Sequence, residues 1–180
     1  MKMGKFKEMQ EKALDYFEKG NIVLTEKERK NIEVADFGLN DVERTGLQLV
    51  VYINTDRVCA KEMVLLPNQT CPEHRHPNIK NQLGKEETFR CRSGMVYLYV
   101  DGISSEKRST NPPKGDEKYY SVFHEVVLNP GEQYTIYPNT LHWFKAGDEG
   151  AVVSEFSTKS KDEADVFTDM RIKRIPEIES

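Results

Sequence analysis

From Leu47 to Ser157 the sequence is written almost entirely in short runs of β-branched and aromatic residues separated by turn signals. L-Q-L-V-V-Y-I-N and V-C-A-K-E-M-V-L-L flank T-D-R. E-T-F-R-C, M-V-Y-L-Y-V, S-V-F-H-E-V-V-L, Q-Y-T-I-Y, L-H-W-F-K and V-V-S-E-F-S follow, punctuated by S-G, D-G, N-P-G and G-D-E-G. Many short strands with turns between them point to a sandwich or a barrel. Only the start of the chain has a helical period. Phe6, Met9, Ala13, Leu14 and Phe17 recur at three-to-four spacing until Gly20-Asn21 stops them, and Thr25 with Glu28 forms a capping-box signature for a second short helix. The expected layout is mainly β and one domain. Residues 1–45 are a helical extension packed outside, 46–160 a β-barrel core, and 161–180 a C-terminal strap, with a closing helix or strap around E-A-D-V-F. The polar stretch 104–118 reads as a mobile surface loop or lid.

A chain of 180 residues is long enough for a real core. Its formal net charge of −4 argues against nucleic acid or an anionic membrane as the main partner. No run of about 18 apolar residues exists to span a bilayer, and the N-terminus lacks the apolar stretch of a secretory signal. Cys59, Cys71 and Cys91 are odd in number and have no CxxC spacing, which reads as reduced thiols in a cytoplasmic protein.

Three of the four histidines fall where a metal ion would want them. His74 and His76 stand two apart in C-P-E-H-R-H, so in a strand both project to one face. Glu87 follows in K-E-E-T-F-R, and His142 stands in Y-P-N-T-L-H-W-F. Imidazole with carboxylate suits Mn, Fe, Co, Ni or Zn. Glu86 is the rival to Glu87, but adjacent strand residues point opposite ways and only one can serve. His124, in S-V-F-H-E-V, belongs to no motif and reads as structural.

These residues resemble the cupin pattern: H-x-H, a glutamate, a glycine seven residues later (Gly94 here), then a second motif with a proline (Pro138) and a last histidine. Two departures stand out. Ten residues separate His76 from Glu87, more than is usual, and should form a loop at the barrel mouth. The second motif, P-N-T-L-H, is one residue short. The combination of C-P-E-H-R-H, K-E-E-T-F-R, P-N-T-L-H-W-F and E-F-S-T-K-S-K-D-E-A-D-V-F-T-D is similar to the cupin-type D-lyxose isomerases over roughly Val50 to Arg171. The resemblance implies a cupin jelly-roll barrel. It also implies Mn2+ held by His74, His76, Glu87 and His142, and ketol-isomerisation of free D-lyxose to D-xylulose, with D-mannose to D-fructose as a second pair of matching configuration.

Such a reaction moves hydrogen between C1 and C2 through a cis-enediolate, with a divalent ion polarising the carbonyl and a base carrying the proton. A hydride shift is the competing route. Glu155 is the first candidate base, because a carboxylate in the apolar run V-V-S-E-F-S is costly unless used or paired. Lys85, two residues before Glu87, shares its face and is the second candidate, able to stabilise the enediolate oxygen or protonate O1. Phe89 and Phe144 share the faces of Glu87 and His142 and are candidate pocket walls, whereas Trp143 points away. Asp165, with Phe167, Asp169 and Arg171, would reach the sugar hydroxyls if the tail folds over the mouth.

Three other readings use the same residues. An Fe(II) cupin dioxygenase needs the same four ligands. An isomerase of a phosphorylated sugar needs a phosphate site, and Arg75, Lys80 and Lys85 form no such signature. A non-catalytic sugar-binding cupin would not need all four ligands. The apolar stripe of the first helix must be buried on its own barrel or on a second subunit, and a homodimer is expected.

Overall fold

A computed structural model describes residues 1–175 and 177–179; the parts of the expected strap at 176 and 180 lie outside them. The described residues form α1 (Met3–Lys19), α2 (Glu26–Lys30) and nine strands: β1 (Glu33–Ala35), β2 (Leu47–Asn54), β3 (Cys59–Leu65), β4 (Thr70–Arg75), β5 (Glu87–Val100), β6 (His124–Leu128), β7 (Gln133–Ile136), β8 (His142–Ser157) and β9 (Val166–Phe167). The capping box of α2 is present, with Thr25 and Glu28 satisfying each other's backbone N–H groups.

β5 and β8 organise the barrel. They pair antiparallel over their whole lengths, from Glu87 opposite Ser157 to Val100 opposite His142, and the register shifts between Cys91 and Ser93 and again between Gly94 and Val96. The far edge of β5 takes β7 in its first half and β6 in its second. The far edge of β8 takes β4 in its first half and β3 in its second. The ladder is thus folded in two at its middle, each half the centre of one curled sheet. This is the jelly-roll barrel that the cupin resemblance implied.

The sequence reading cut β5 at S-G and β8 at G-D-E-G into separate strands. The structure keeps hydrogen bonding on both sides of these glycines, so each turn signal is a corner in one long strand. Gly94 has φ +74° and Gly150 φ +75°, and a Cβ on Gly94 would come within 2.0 Å of the Gly150 carbonyl oxygen.

Alternation along the strands divides two cores. Leu49, Met63, Leu65 and Val153 face into the barrel with Phe89 and Phe144. Their neighbours Val50, Val64 and Val152 face outward and receive Met9, Ala13 and Phe17 of α1. The helix stripe is therefore buried on its own barrel and needs no second subunit. On the other sheet Trp143 stacks on Tyr99 at 4.1 Å between ring centres and donates from Nε1 to the Val122 carbonyl at 2.8 Å.

Two terminal readings change. The first 45 residues are not only helical, because β1 joins the sheet beside β2. E-A-D-V-F forms a single 3₁₀ turn (Asp162–Ala164) and then β9, which pairs with β4 through His74 opposite Phe167. The 104–118 stretch is fastened rather than loose. Ser109 donates to Glu125 from its backbone and its hydroxyl at 2.7 and 2.8 Å, and Arg44 reaches the Lys114 carbonyl at 2.9 Å.

Gly94→Ala is expected to cost about 3 kcal/mol or more of unfolding free energy, from the contact with backbone and the positive φ together. Urea denaturation reads this out, and a variant with wild-type stability would mean that the corner accepts a side chain.

Candidate metal and catalytic site

His74, the last residue but one of β4, lies on the barrel interior, His76 follows two residues later, and His142 opens β8 directly opposite His74. Both neighbours of His142 in the sheet therefore fix its height. The three rings converge, with centroids 4.2 Å apart for His74 and His142 and 5.0 Å for His74 and His76. One ligating nitrogen from each lies within 4.8 Å of the others, and all three residues are buried.

The tautomers are set by neighbours. His74 Nδ1 lies 2.8 Å from the Pro72 carbonyl, His142 Nδ1 lies 3.0 Å from the Thr140 carbonyl, and His76 Nδ1 lies 2.5 Å from Asp165 Oδ1. Each Nδ1–H has an acceptor, so each ring turns its Nε2 lone pair toward the common centre, the arrangement that orients imidazoles for a metal. Glu87 comes from the first residue of β5, the opposite end of the ladder from His142. Its Oε1 lies 3.0 Å from His76 Nε2 and 3.1 Å from His142 Nε2. His142 Nε2 is nevertheless buried without a hydrogen bond of acceptable direction. An orphaned lone pair beside two further imidazoles and a carboxylate fits a divalent ion. Glu86 points to solvent while Glu87 is 1% exposed.

Protonation follows the same logic. Burial, with the charges of His142 and His76, pushes His74 well below its ordinary value, so the ring is neutral and free to donate its lone pair. Burial opposes a charge on His76 too, but Glu87 and Asp165 lift it to about 9. Burial raises the Glu87 carboxyl, but Lys85 and His76 outweigh it and hold it well below the usual carboxylate range.

Beside the histidines lies a buried set of alternating charges. Lys85 Nζ is 2.7 Å from Glu87 Oε2 and 3.1 Å from Glu155 Oε1. Burial works against the Lys85 ammonium, yet Glu155, Glu87 and Asp162 hold its pKa well above that of an ordinary lysine. Glu155, opposite Phe89 of β5 and Lys61 of β3, faces inward from β8. Its Oε1 takes Lys85 and the Ser157 hydroxyl, both at 3.1 Å, and its Oε2 has no hydrogen bond among the described residues. Asp162, on the strap, meets Lys61 and Arg174, each at 2.9 Å.

The structure thus brings together His74, His76, Glu87, His142, Lys85, Glu155 and Asp165. Asp165 holds His76, and its place beside the outer cleft leaves it within reach of a ligand as well. Phe89 and Phe144 are fully buried under the histidines, edge-on to each other at 4.9 Å, and form the floor of the centre. Phe167 stacks on His74 at 5.3 Å. Arg171 is ion-paired with both Asp169 and Asp116, and Asp169 and Arg171 line neither cavity of the site. His124 bonds the Ile103 carbonyl, away from the centre.

Sequence reasoning missed Lys61, Asp162 and Arg174. The argument that singled out Glu155, a charge in an apolar strand, applies equally to A-K-E-M-V-L-L. Alternation turns Lys61 inward there and Glu62 to the opposite face, where it bonds Ser154 at 2.8 Å.

Two spaces meet here. An inner cavity of about 30 Å³ has His74, His76, Glu87, Phe89 and Glu155 on its walls, enough for an ion or one water. An outer cleft of about 370 Å³ runs from His76, Lys85 and Asp165 out to Ile79, Leu83, Lys159 and Lys161. The ten-residue segment between His76 and Glu87 forms one rim of this cleft. No helix among the described residues is long and apolar enough to cross a membrane.

Asp165→Asn removes the charge that anchors His76, and is expected to weaken divalent-metal affinity about 10- to 100-fold. Titration calorimetry with Mn2+ checks this; unchanged affinity would remove Asp165 from the account.

Comparison with known proteins places this geometry. The D-lyxose isomerase family model matches residues 1–180. The D-lyxose/D-mannose isomerase of Thermosediminibacter oceani is 66% identical over 179 residues, covering 99% of both chains. The D-lyxose ketol-isomerase of Cohnella laeviribosi is 54% identical, covering 99% of this chain and 98% of that one. Among solved structures, the L-ribose isomerase of Acinetobacter sp. DL28 in complex with L-ribose superposes with a TM-score of 0.78 at 17% identity, covering 99% of this chain and 98% of that chain, and shares the fold. With the family model spanning its full length, this chain belongs to the D-lyxose isomerase family.

Proposed function

We propose that this protein is a metal-dependent ketol-isomerase that interconverts free D-lyxose and D-xylulose, and D-mannose and D-fructose as a second pair. Family membership supports the reaction class. The observation that carries the chemistry is the convergence of three lone-pair-directed imidazoles on Glu87, next to a carboxylate with one oxygen held and one free. The same membership favours isomerisation over iron-dependent oxygenation. Of the outer-cleft lysines, Lys159 is paired with Asp56 and Lys161 with Gln82, which does not favour a phosphorylated substrate.

His74, His76, Glu87 and His142 would hold the ion, and Mn2+ is our choice among the first-row metals that such donors accept. When bound, the metal supplies Lewis acidity to the C1 carbonyl and C2 hydroxyl oxygens. Glu155 Oε2 takes the C2 proton and returns it to C1, while Lys85 donates to the oxygen on which negative charge develops. Phe89 and Phe144 close the floor against water. Asp165 holds His76, and its free oxygen is offered to a sugar hydroxyl from the rim of the outer cleft. We assign residues 1–180 to a single catalytic domain, working in the cytoplasm as a homodimer.

Manganese-loaded protein incubated with D-lyxose is expected to form D-xylulose, and EDTA treatment to abolish this until metal is restored. No ketose with any divalent metal would reject the reading. Glu155→Gln is expected to lower kcat about 10²- to 10⁴-fold with metal still bound; near-normal turnover would move the base elsewhere.

A further inference from the structure

Lys61 has no part in the chemistry described so far, yet it is a lysine 3% exposed on the inner wall of the barrel. A buried ammonium is costly unless its donors are used. Here it donates to two partners and is ion-paired to a third. Nζ lies 2.9 Å from Ser160 Oγ and 2.9 Å from Asp162 Oδ2, and the Glu155 Oε1 stands 3.6 Å away, within ion-pair range. Neutralising Asp162 does not account for this placement, because Arg174 already reaches Asp162 Oδ2 at 2.9 Å. What Lys61 adds is its position directly across the sheet from Glu155, on the adjacent strand and the same face.

The second cation on Glu155 is Lys85, which is shared with Glu87 and lines the outer cleft. A substrate oxygen entering from that cleft competes for the Lys85 ammonium. Lys61 lies behind the strap, lines only the inner cavity and is fixed by Ser160 and Asp162. It is the partner that Glu155 keeps when Lys85 turns to the substrate.

We propose that Lys61 is a positioning residue for the isomerisation. It holds Glu155 through Oε1 so that Oε2 faces the reacting carbons, and it fastens the strap turn at Ser160 and Asp162 to the barrel wall. The same strap, three residues on, carries Asp165 to His76. This inference rests on the isomerase reading and assigns a role to a residue that touches neither substrate nor metal.

The test compares wild type with Lys61→Met, Lys61→Gln and Lys61→Arg. Bound manganese per chain, kcat and KM for D-lyxose, and deuterium incorporated into product from D2O are measured for each, together with the thermal midpoint. Lys61→Met is expected to lower kcat about 10- to 100-fold, with KM and manganese content changed less than about threefold. Deuterium incorporated per product should hold or rise, since slower return of the proton leaves more time for exchange with solvent, and Lys61→Arg should recover at least about a third of wild-type kcat. Should Lys61→Met fail to fold, Lys61→Gln, which keeps a donor for Ser160, carries the same comparison. The proposal is overturned by a kcat within about threefold of wild type, by a loss confined to KM or to manganese content, or by an arginine variant no better than methionine. Wild-type protein inactive on D-lyxose with every divalent metal overturns the isomerase reading itself, and that result comes before any variant is made.

Discussion

The site depends on the folded ladder of β5 and β8. Glu87 stands on its first rung and His142 on its last, yet their side-chain atoms lie 3.1 Å apart. Strands of this length, if straight, would hold those rungs tens of ångströms apart at about 3.3 Å per residue. The corner at Gly94 and Gly150, both at positive φ, turns the ladder back so that its two ends share one barrel mouth. Every distance in the metal centre is set by that bend. The cross-strand register then does the finer work, placing His142 opposite His74, and Glu155 between Lys61 and Phe89.

Bringing these ends together buries an unusual amount of charge. Lys61, Lys85 and Arg174 interleave with Glu87, Glu155 and Asp162, so each carboxylate has a cation, and both lysines have more than one acceptor. Such a set adds little to stability over an apolar core, but losing one member strands its partners. Its value is in holding side chains still. Glu155 is gripped by one oxygen and open at the other, and each imidazole is turned by an acceptor at Nδ1. An enzyme that moves a proton between adjacent carbons needs this kind of fixed, water-poor geometry more than it needs affinity.

The C-terminal segment completes the arrangement from outside the barrel. Its short strand β9 pairs with β4 beside His74, Phe167 stacks on that ring, and Asp165 and Asp162 reach into the site from either end of one turn. Glu73, one residue before His74 and pointing the other way, accepts from Ser121, Val122 and Thr168 and so binds the same segment to the outer face. The strand that carries His74 is clamped on both of its faces by chain that the strand pattern alone does not connect to it.

Much was legible in the residues themselves. Alternation and turn chemistry are local, so strand runs, the capping box, the opposite faces of Glu86 and Glu87 and the shared face of His74 and His76 follow from short periods, while the choice of Glu87 over Glu86 came from its spacing to Gly94 in the family pattern. The motif spacings, through their resemblance to a known family, carried the reaction class. What local pattern cannot give is which ends meet. S-G and G-D-E-G read equally well as breaks between strands and as corners within them, and only long-range pairing makes them corners. Lys61 lies about a hundred residues before Asp162 and Arg174 in sequence. Each is an ordinary charged residue until the closed barrel buries Lys61 and the docked strap brings Asp162, with Arg174 paired to it, against that lysine.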